Sequence, residues 1–204
     1  IKMKKKILIF GGNGSIGYSI AKRLKADDYQ PILIARNEED LKKKSKEINC
    51  EYSVCDVLEF DQIEELSKKY YPDIFGLAYC IGSINLKPLK LTKDIDFIES
   101  FKINTLGAIN AVKANINHLT QNNGSILFFS TIAVQQGFVN HSIISSSKGA
   151  IEGLTHSLAA EFAPKIRVNC IAPSLTDSKM SQKMISNDTI RKAIENMHPI
   201  PKIG

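Results

Sequence analysis

A glycine-rich segment near the N-terminus has the residue types and the spacing that bind phosphate groups. Gly11, Gly14 and Gly17 follow an apolar run and read G-x-x-G-x-x-G, a relative of the dinucleotide-binding fingerprint. The first glycine permits a sharp turn, the second lets the backbone approach a pyrophosphate, and the third lets the next helix pack closely. The N–H groups that begin this helix favour an anion. The predicted phosphate-binding residues are Gly11, Asn13, Gly14, Ser15, Ile16 and Gly17.

The end of the second apolar run indicates which dinucleotide binds. An NAD site usually places an acidic residue about 20 residues after the glycines. Here Ala35 occupies that position and Arg36 follows it. A guanidinium pairs with a 2′-phosphate, whereas a carboxylate would repel one. NADP(H) is therefore the preferred cofactor, while Glu38 and Glu39 could reach a ribose and leave NAD(H) possible.

These residues must be positioned by strands and helices that alternate along the chain without a repeat or a linker. Short apolar runs predict strands at 6–10, 32–35, 52–55, 75–80, 125–130 and 167–171. Helical patterns cover 16–26, 38–48, 60–70, 94–119, 145–163 and 187–197. Strand–helix alternation with apolar strands predicts an α/β fold, a doubly wound parallel sheet in one domain spanning residues 1–204. Such sheets bind ligands at the carboxyl ends of their strands.

With these motifs and two more, the chain resembles the short-chain dehydrogenase/reductase family over essentially its whole length. The third strand ends in Asp56 and Val57, matching the Asp-Val pair that the family places beside the adenine. The fourth is followed by Cys80 and Gly82 where the family usually has Asn-Asn-Ala-Gly, so only the glycine matches. The resemblance implies a Rossmann fold in which these four residues contact the cofactor.

The C-terminal part carries further matches to the family. Pro173 and Ser174 stand in place of the family's Pro-Gly, and Ser178 begins a match to its T-x-M. The resemblance implies that all three contact the cofactor. The last five residues resemble a Pro-Leu-Gly-Arg-x-Gly stretch that precedes a further helix and the last strand, so we expect those two elements to be missing here.

The resemblance also implies three catalytic positions. Asn104 matches the Asn of the family's N-x-x-G, which supports a proton-relay water. Thr131 stands where the family has a catalytic Ser, whose hydroxyl polarises the substrate carbonyl. Lys148 matches the Lys that binds the nicotinamide ribose and acidifies a neighbouring Tyr. The cofactor itself supplies the hydride chemistry.

The Tyr of this constellation is absent. The family pattern places it four residues before the Lys, and that position is Ile144, at a site that we expect to face a substrate cavity. All six tyrosines lie at or before Tyr79, so no realignment supplies one. Three explanations stay open: an oxidoreductase that is impaired or uses another donor, a cofactor-binding sensor or scaffold, and an engineered or sequencing change.

His141 is the one replacement acid that the sequence offers nearby. It lies seven residues before Lys148, the Tyr–Lys spacing of the family's divergent enoyl-reductase branch, and an imidazole can act as acid or base. The glycine loop does not match that branch. The other three histidines, His118, His156 and His198, are predicted to be structural or exposed.

Composition and charge limit the partners. The net charge is +6, but the lysines are spread over helical stretches and indicate solvated faces rather than a nucleic-acid surface. No apolar run reaches the roughly 18 residues that span a bilayer, and none follows the N-terminal lysines at signal-peptide length. The four cysteines lack C-x-x-C or zinc spacing, so no metal is predicted. We expect a cytoplasmic protein with a small-molecule carbonyl or alcohol substrate and neither nucleic-acid nor membrane partners.

Two long helices carry more apolar residues than one sheet face should bury. The residues are Ile109, Val112, Ile116, Ile151, Leu154 and Leu158. Such an excess is typical of a helix-to-helix subunit interface. The sequence therefore predicts a homodimer or homotetramer. The predicted function is NADP(H)-dependent oxidoreduction of a carbonyl/alcohol pair, impaired by Ile144, with a non-catalytic sensor or scaffold as the alternative.

Overall fold

Six parallel strands form one sheet in the computed structural model, which describes residues 5–185, 187–196, 198 and 200–204, the side chains of 183 and 184 excepted. The strands are β1 Lys6–Phe10, β2 Gln30–Ala35, β3 Glu51–Val54, β4 Ile74–Tyr79, β5 Ser125–Phe129 and β6 Arg167–Ile171. Their order is β3-β2-β1-β4-β5-β6. Successive strands are added to one side of β1 up to β3 and to its other side from β4 onward, so β1 pairs with both β2 and β4. Ligands of such sheets bind at this reversal.

Helices cover both faces of the sheet. They are α1 Ser15–Ala26, α2 Glu38–Ile48, α3 Phe60–Tyr70, α4 Asp94–Phe101, α5 Gly107–Gln121, α6 Ala133–Gln136, α7 Ser142–Phe162, α8 Gln182–Ile185 and α9 Asp188–Glu195. One hydrophobic core joins the sheet to α3, α5 and α7, and a smaller one joins it to α1 and α2. The predicted doubly wound single domain is therefore confirmed. No helix among the described residues is both long enough and apolar enough to cross a membrane.

The observed elements lie close to the predicted ones, with one informative difference. Each strand begins and ends within two residues of its expected position. The helix predicted at 94–119 is instead interrupted by a π-helical turn, Lys102–Leu106. Within it, Asn104 Nδ2 donates to the Ser100 carbonyl at 2.9 Å, and a side chain that takes a helix carbonyl in this way perturbs the backbone ladder. Residue 197, the predicted end of the last helix, lies outside the described residues.

The apolar residues of α5 and α7 divide into two groups. Val112 and Ile151 are buried in the core, so the expectation that they exceed what the sheet covers was wrong. Ile109, Ile116, Leu154 and Leu158 are only partly buried. They line a groove of about 170 Å³ between the two helices. Four of the six residues thus remain available to a partner.

Candidate active site

The glycine loop forms a cradle of backbone atoms between β1 and α1. Gly11 has a φ of +80°, and a Cβ there would lie 2.9 Å from the carbonyl carbon of Cys80. A Cβ at Gly17 would collide with the Gly11 carbonyl oxygen. Helix α1 begins at Ser15, and its first N–H groups lack intrahelical acceptors, as in any helix. No side chain caps this helix end, so these donors are left for a ligand. The space and the donors present fit the pyrophosphate of a dinucleotide.

Arg36 lies at the end of β2 with its side chain 73% exposed. Its Nη1 atom is 3.7 Å from the Asp56 carboxylate, which also accepts the Leu58 N–H at 3.0 Å. Ala35 and Val57 beside them are buried. This corner therefore offers an exposed guanidinium, and no carboxylate stands at position 35.

Asn104 is buried and held by several hydrogen bonds. Besides its bond to Ser100, its Oδ1 atom accepts the Ser83 N–H at 3.3 Å. Ser100 and Ser147 share a hydrogen bond of 2.9 Å, and Thr105 donates to the Ser147 carbonyl. These bonds lock the π-helical turn against α7, so the Asn104 amide has one orientation.

Lys148 reaches the same place from α7. Its Nζ donates to the Phe129 carbonyl at 2.9 Å, at the end of β5. Burial lowers the pKa of Lys148 to about 8. A Cβ on Gly82 would lie 2.9 Å from Asn104 Oδ1 and 3.5 Å from Lys148 Nζ. The fold therefore brings these three predicted residues together at the carboxyl end of the sheet.

Cys80 adjoins this group at the end of β4. Its backbone N–H donates to the Phe10 carbonyl at 2.8 Å, which continues the pairing of β4 with β1. Burial raises the pKa of the Cys80 thiol to about 12. The thiol is therefore protonated at neutral pH and can contact a ligand only as a small neutral group.

Two adjacent hydroxyls at the end of β5 have different roles. Ser130 is buried and donates to Glu152 at 2.6 Å, so its hydroxyl is engaged. Thr131 is only partly buried, and its Oγ1 accepts the Ala133 N–H at 3.3 Å. Its hydroxyl proton remains available to donate. Of the two, Thr131 is therefore the one suited to polarise a carbonyl.

Ile144 lies one helical turn before Lys148 on α7. Its side chain is only 5% exposed, so the expectation that this position faces an open cavity was wrong. The aliphatic side chain has no proton to give. His141, the replacement acid that the sequence suggested, bonds through Nδ1 to the Val139 carbonyl at 2.7 Å and packs on Phe138. Its ring is thus held by the exposed loop before α7.

The segment after β6 returns to the same edge of the sheet. The Pro173 carbonyl accepts the Ile132 N–H at 3.2 Å, which places Ser174 beside the end of β5. Ser178 is engaged in a local turn with Ser181. Ser174 Oγ bonds to His198 Nε2 at 2.5 Å. Sequence reasoning missed His198, because 24 residues separate it from Ser174 and no spacing rule links them.

Comparison with known proteins identifies the family. The profile of the short chain dehydrogenase family matches residues 5–189. The chain therefore belongs to the short-chain dehydrogenase/reductase family of oxidoreductases.

Its relatives include carbonyl reductase family member 4 of Xenopus laevis, 30% identical and covering 99% of this chain and 86% of that protein. The mouse 3-oxoacyl-[acyl-carrier-protein] reductase is 31% identical, over 89% of this chain and 80% of the relative.

The structure is also similar to solved structures that hold a cofactor. ElxO with NADP bound superposes with a TM-score of 0.91 at 28% identity, covering 99% of this chain and 86% of that one. A Tyr-to-Phe variant of ElxO with NADPH bound gives a TM-score of 0.90 with the same identity and coverage. These neighbours support NADP(H) binding by this chain.

Proposed function

We propose that this protein is an NADP(H)-dependent oxidoreductase that interconverts a carbonyl compound and its alcohol. The observation that carries the proposal is the convergence of Asn104, Lys148 and Gly82 beside a glycine cradle and an exposed Arg36. When bound, the cofactor supplies or accepts a hydride. The names of the relatives, a carbonyl reductase and a 3-oxoacyl-[acyl-carrier-protein] reductase, support a carbonyl substrate.

Different residues of the chain would bind the cofactor and polarise the substrate. The first N–H groups of α1 bind the pyrophosphate, and Arg36 pairs with the 2′-phosphate. Lys148 turns its ammonium to the nicotinamide ribose. Thr131 polarises the carbonyl by donating a hydrogen bond to its oxygen, and the Asn104 backbone supports a relay water. NADP(H) is preferred over NAD(H) because Ala35 supplies no carboxylate for an unphosphorylated ribose.

The rate of this reaction is expected to be low. A positioned general acid typically contributes about 10² to 10⁴ in rate, and Ile144 removes the one that the family uses. The same observation favours a second candidate function, a non-catalytic NADP(H)-binding sensor or scaffold. Such a protein would keep the nucleotide end of the fold and lose turnover altogether.

Two measurements test the proposal. NADPH and NADH are titrated into the protein by cofactor fluorescence, with NADPH expected to bind about tenfold or more tightly. NADPH consumption is then followed with a panel of ketones, aldehydes and 3-oxoacyl thioesters under single-turnover conditions. Equal affinities would contradict the cofactor assignment. Tight NADPH binding without any consumption would favour the sensor or scaffold.

We further propose that two copies associate through the groove between α5 and α7. The partly buried Ile109, Ile116, Leu154 and Leu158 supply its apolar surface. Light scattering at micromolar concentration should give a homodimer or homotetramer. A Leu154→Glu variant should shift the population to monomer, whereas a wild-type monomer would contradict this assembly.

A further inference from the structure

We propose that Ser174 and His198 form the proton relay that replaces the missing phenol, an inference that rests on the proposed carbonyl reduction. The two side chains are hydrogen-bonded at 2.5 Å, between Ser174 Oγ and His198 Nε2. Both are partly buried. A proton can therefore pass between them while the imidazole can still exchange one with water.

The orientation of the imidazole fixes the direction of the relay. His198 Nδ1 lies 2.9 Å from the Ile194 carbonyl, which can only accept, so Nδ1 carries a hydrogen. In the neutral ring Nε2 is then the acceptor, and the Ser174 hydroxyl donates to it. In the charged ring Nε2 donates to Ser174 Oγ, and the serine hydrogen is free for another acceptor.

The position of Ser174 places this hydroxyl at the ligand-binding edge of the sheet. It follows β6, and the Pro173–Ile132 hydrogen bond joins this segment to the residue after Thr131. The carbonyl-polarising hydroxyl and the relay hydroxyl therefore belong to neighbouring strand ends. The family has a glycine at position 174, so the hydroxyl is an addition in this chain, which lacks the phenol.

The proton balance of the step is complete. As the carbonyl carbon gains a hydride, its oxygen takes the proton of Ser174 Oγ. Oγ takes the proton of His198 Nε2, and the ring becomes neutral. Water then returns one proton to Nε2. In the direction of alcohol oxidation the same atoms carry the proton outward.

Among the described side chains, seven charged ones lie on the segments that follow Ser174 and flank His198 along the chain. They are Asp177 and Lys179 on the loop after β6, Asp188, Arg191, Lys192 and Glu195 on α9, and Lys202 near the C-terminus. Arg191 pairs with Glu195 at 3.2 Å and with Asp177 at 3.9 Å. Glu195 and Asp177 are thus paired with a cation, and the acceptor that the structure gives to the imidazole Nδ1 is neutral, the Ile194 carbonyl.

The test compares Ser174→Gly, Ser174→Ala and His198→Gln with the wild-type chain. Single-turnover NADPH oxidation at saturating NADPH should fall about 10²-fold in each variant, while the thermal unfolding midpoint stays near wild type. The double variant should be no slower than either single one, because the two residues act as a unit.

A second readout is independent of activity. ¹⁵N NMR of the imidazole should show that His198 carries hydrogen on Nδ1. Ser174→Ala should change the Nε2 shift, and the matched control Ser145→Ala should not. An Nε2–H tautomer, unchanged rates in the variants, or no NADPH consumption by the wild-type chain would overturn the relay. Failure to bind NADPH would instead reject the proposed function itself.

Discussion

The proposed nucleotide-binding end and the proposed catalytic end of this sheet (called the nucleotide end and the catalytic end) differ in how many of the family's residues are present. At the nucleotide end the glycine cradle, the uncapped start of α1 and Arg36 are all in place. At the catalytic end Asn104, Thr131 and Lys148 are in place, but Ile144 occupies the position of the phenol. The proposed phosphate contacts come mostly from backbone N–H groups, whereas the proton transfer that the family uses depends on a side chain, the phenol.

Because of this difference, we expect that cofactor binding and proton transfer can be lost separately. A backbone cradle is preserved as long as the fold is, because its donors are main-chain N–H groups. A single substitution can remove a general acid without disturbing the sheet. The ends can therefore be tested by variants that change one and spare the other.

The largest effect is expected at the catalytic end. Ile144→Tyr should raise the rate of carbonyl reduction about 10²-fold or more, because Lys148 lies one helical turn away and lowers the pKa of the new phenol. NADPH affinity should change little. The added bulk at a buried position should reduce stability by about 1–3 kcal/mol. Steady-state kinetics, cofactor titration and thermal unfolding measure these three quantities.

Ile144→Phe is the matched control, since it adds the ring without the hydroxyl. It should lose the same stability and gain no activity. Equal rates of carbonyl reduction in the Tyr and Phe variants would show that the missing phenol does not limit the reaction.

The second effect concerns Lys148 and the pH dependence of stability. The buried ammonium has its pKa lowered from 10.5 to about 8, a difference equivalent to about 3 kcal/mol. Below pH 8 Lys148 is charged in both the folded and the unfolded state, so the full free energy of burying the ammonium destabilises the folded state. Between pH 8 and 10.5 the unfolded state binds more protons, and the unfolding free energy rises with pH.

Lys148→Met should remove that rise. Urea unfolding at pH 7 and pH 10 should show a wild-type gain in unfolding free energy relative to the variant of about 2.5 kcal/mol. Lys102→Met, at an exposed position, controls for the loss of one positive charge. Parallel pH profiles for wild type and Lys148→Met would show that the ammonium is not buried as described.

The smallest effect is expected at the nucleotide end. Arg36→Ala should weaken NADPH binding by about 1.5–3 kcal/mol, the contribution of a hydrogen bond to a charged group, and leave NADH binding unchanged. Calorimetric titration of both cofactors measures the difference. Arg23→Ala, which removes an exposed arginine from α1, should alter neither affinity. An equal loss for NADH would show that Arg36 does not bind the 2′-phosphate.

Much of this molecule could be predicted because local patterns carry the information. The apolar run at 7–10 places β1 at the residues observed, since a buried parallel strand needs an unbroken apolar segment. The glycines at 11 and 17 are required by close backbone approaches that no larger residue allows. The π-helical turn was missed because it depends on hydrogen bonds from Asn104 to Ser83 and Ser100, and helical periodicity does not show them.

The sheet, the phosphate cradle, the cation at the end of β2 and the absence of a tyrosine at 144 could all be inferred from the residues alone. Each of these follows from residue type at a fixed local spacing. The burial of Ile144 became visible only in the folded chain. The same is true of the hydrogen bond from Ser130 to Glu152, which leaves Thr131 available, and of the contact between His198 and Ser174. The physical reason is that burial and hydrogen-bond partners arise from residues distant in the chain, which the parallel crossovers bring to one edge of the sheet.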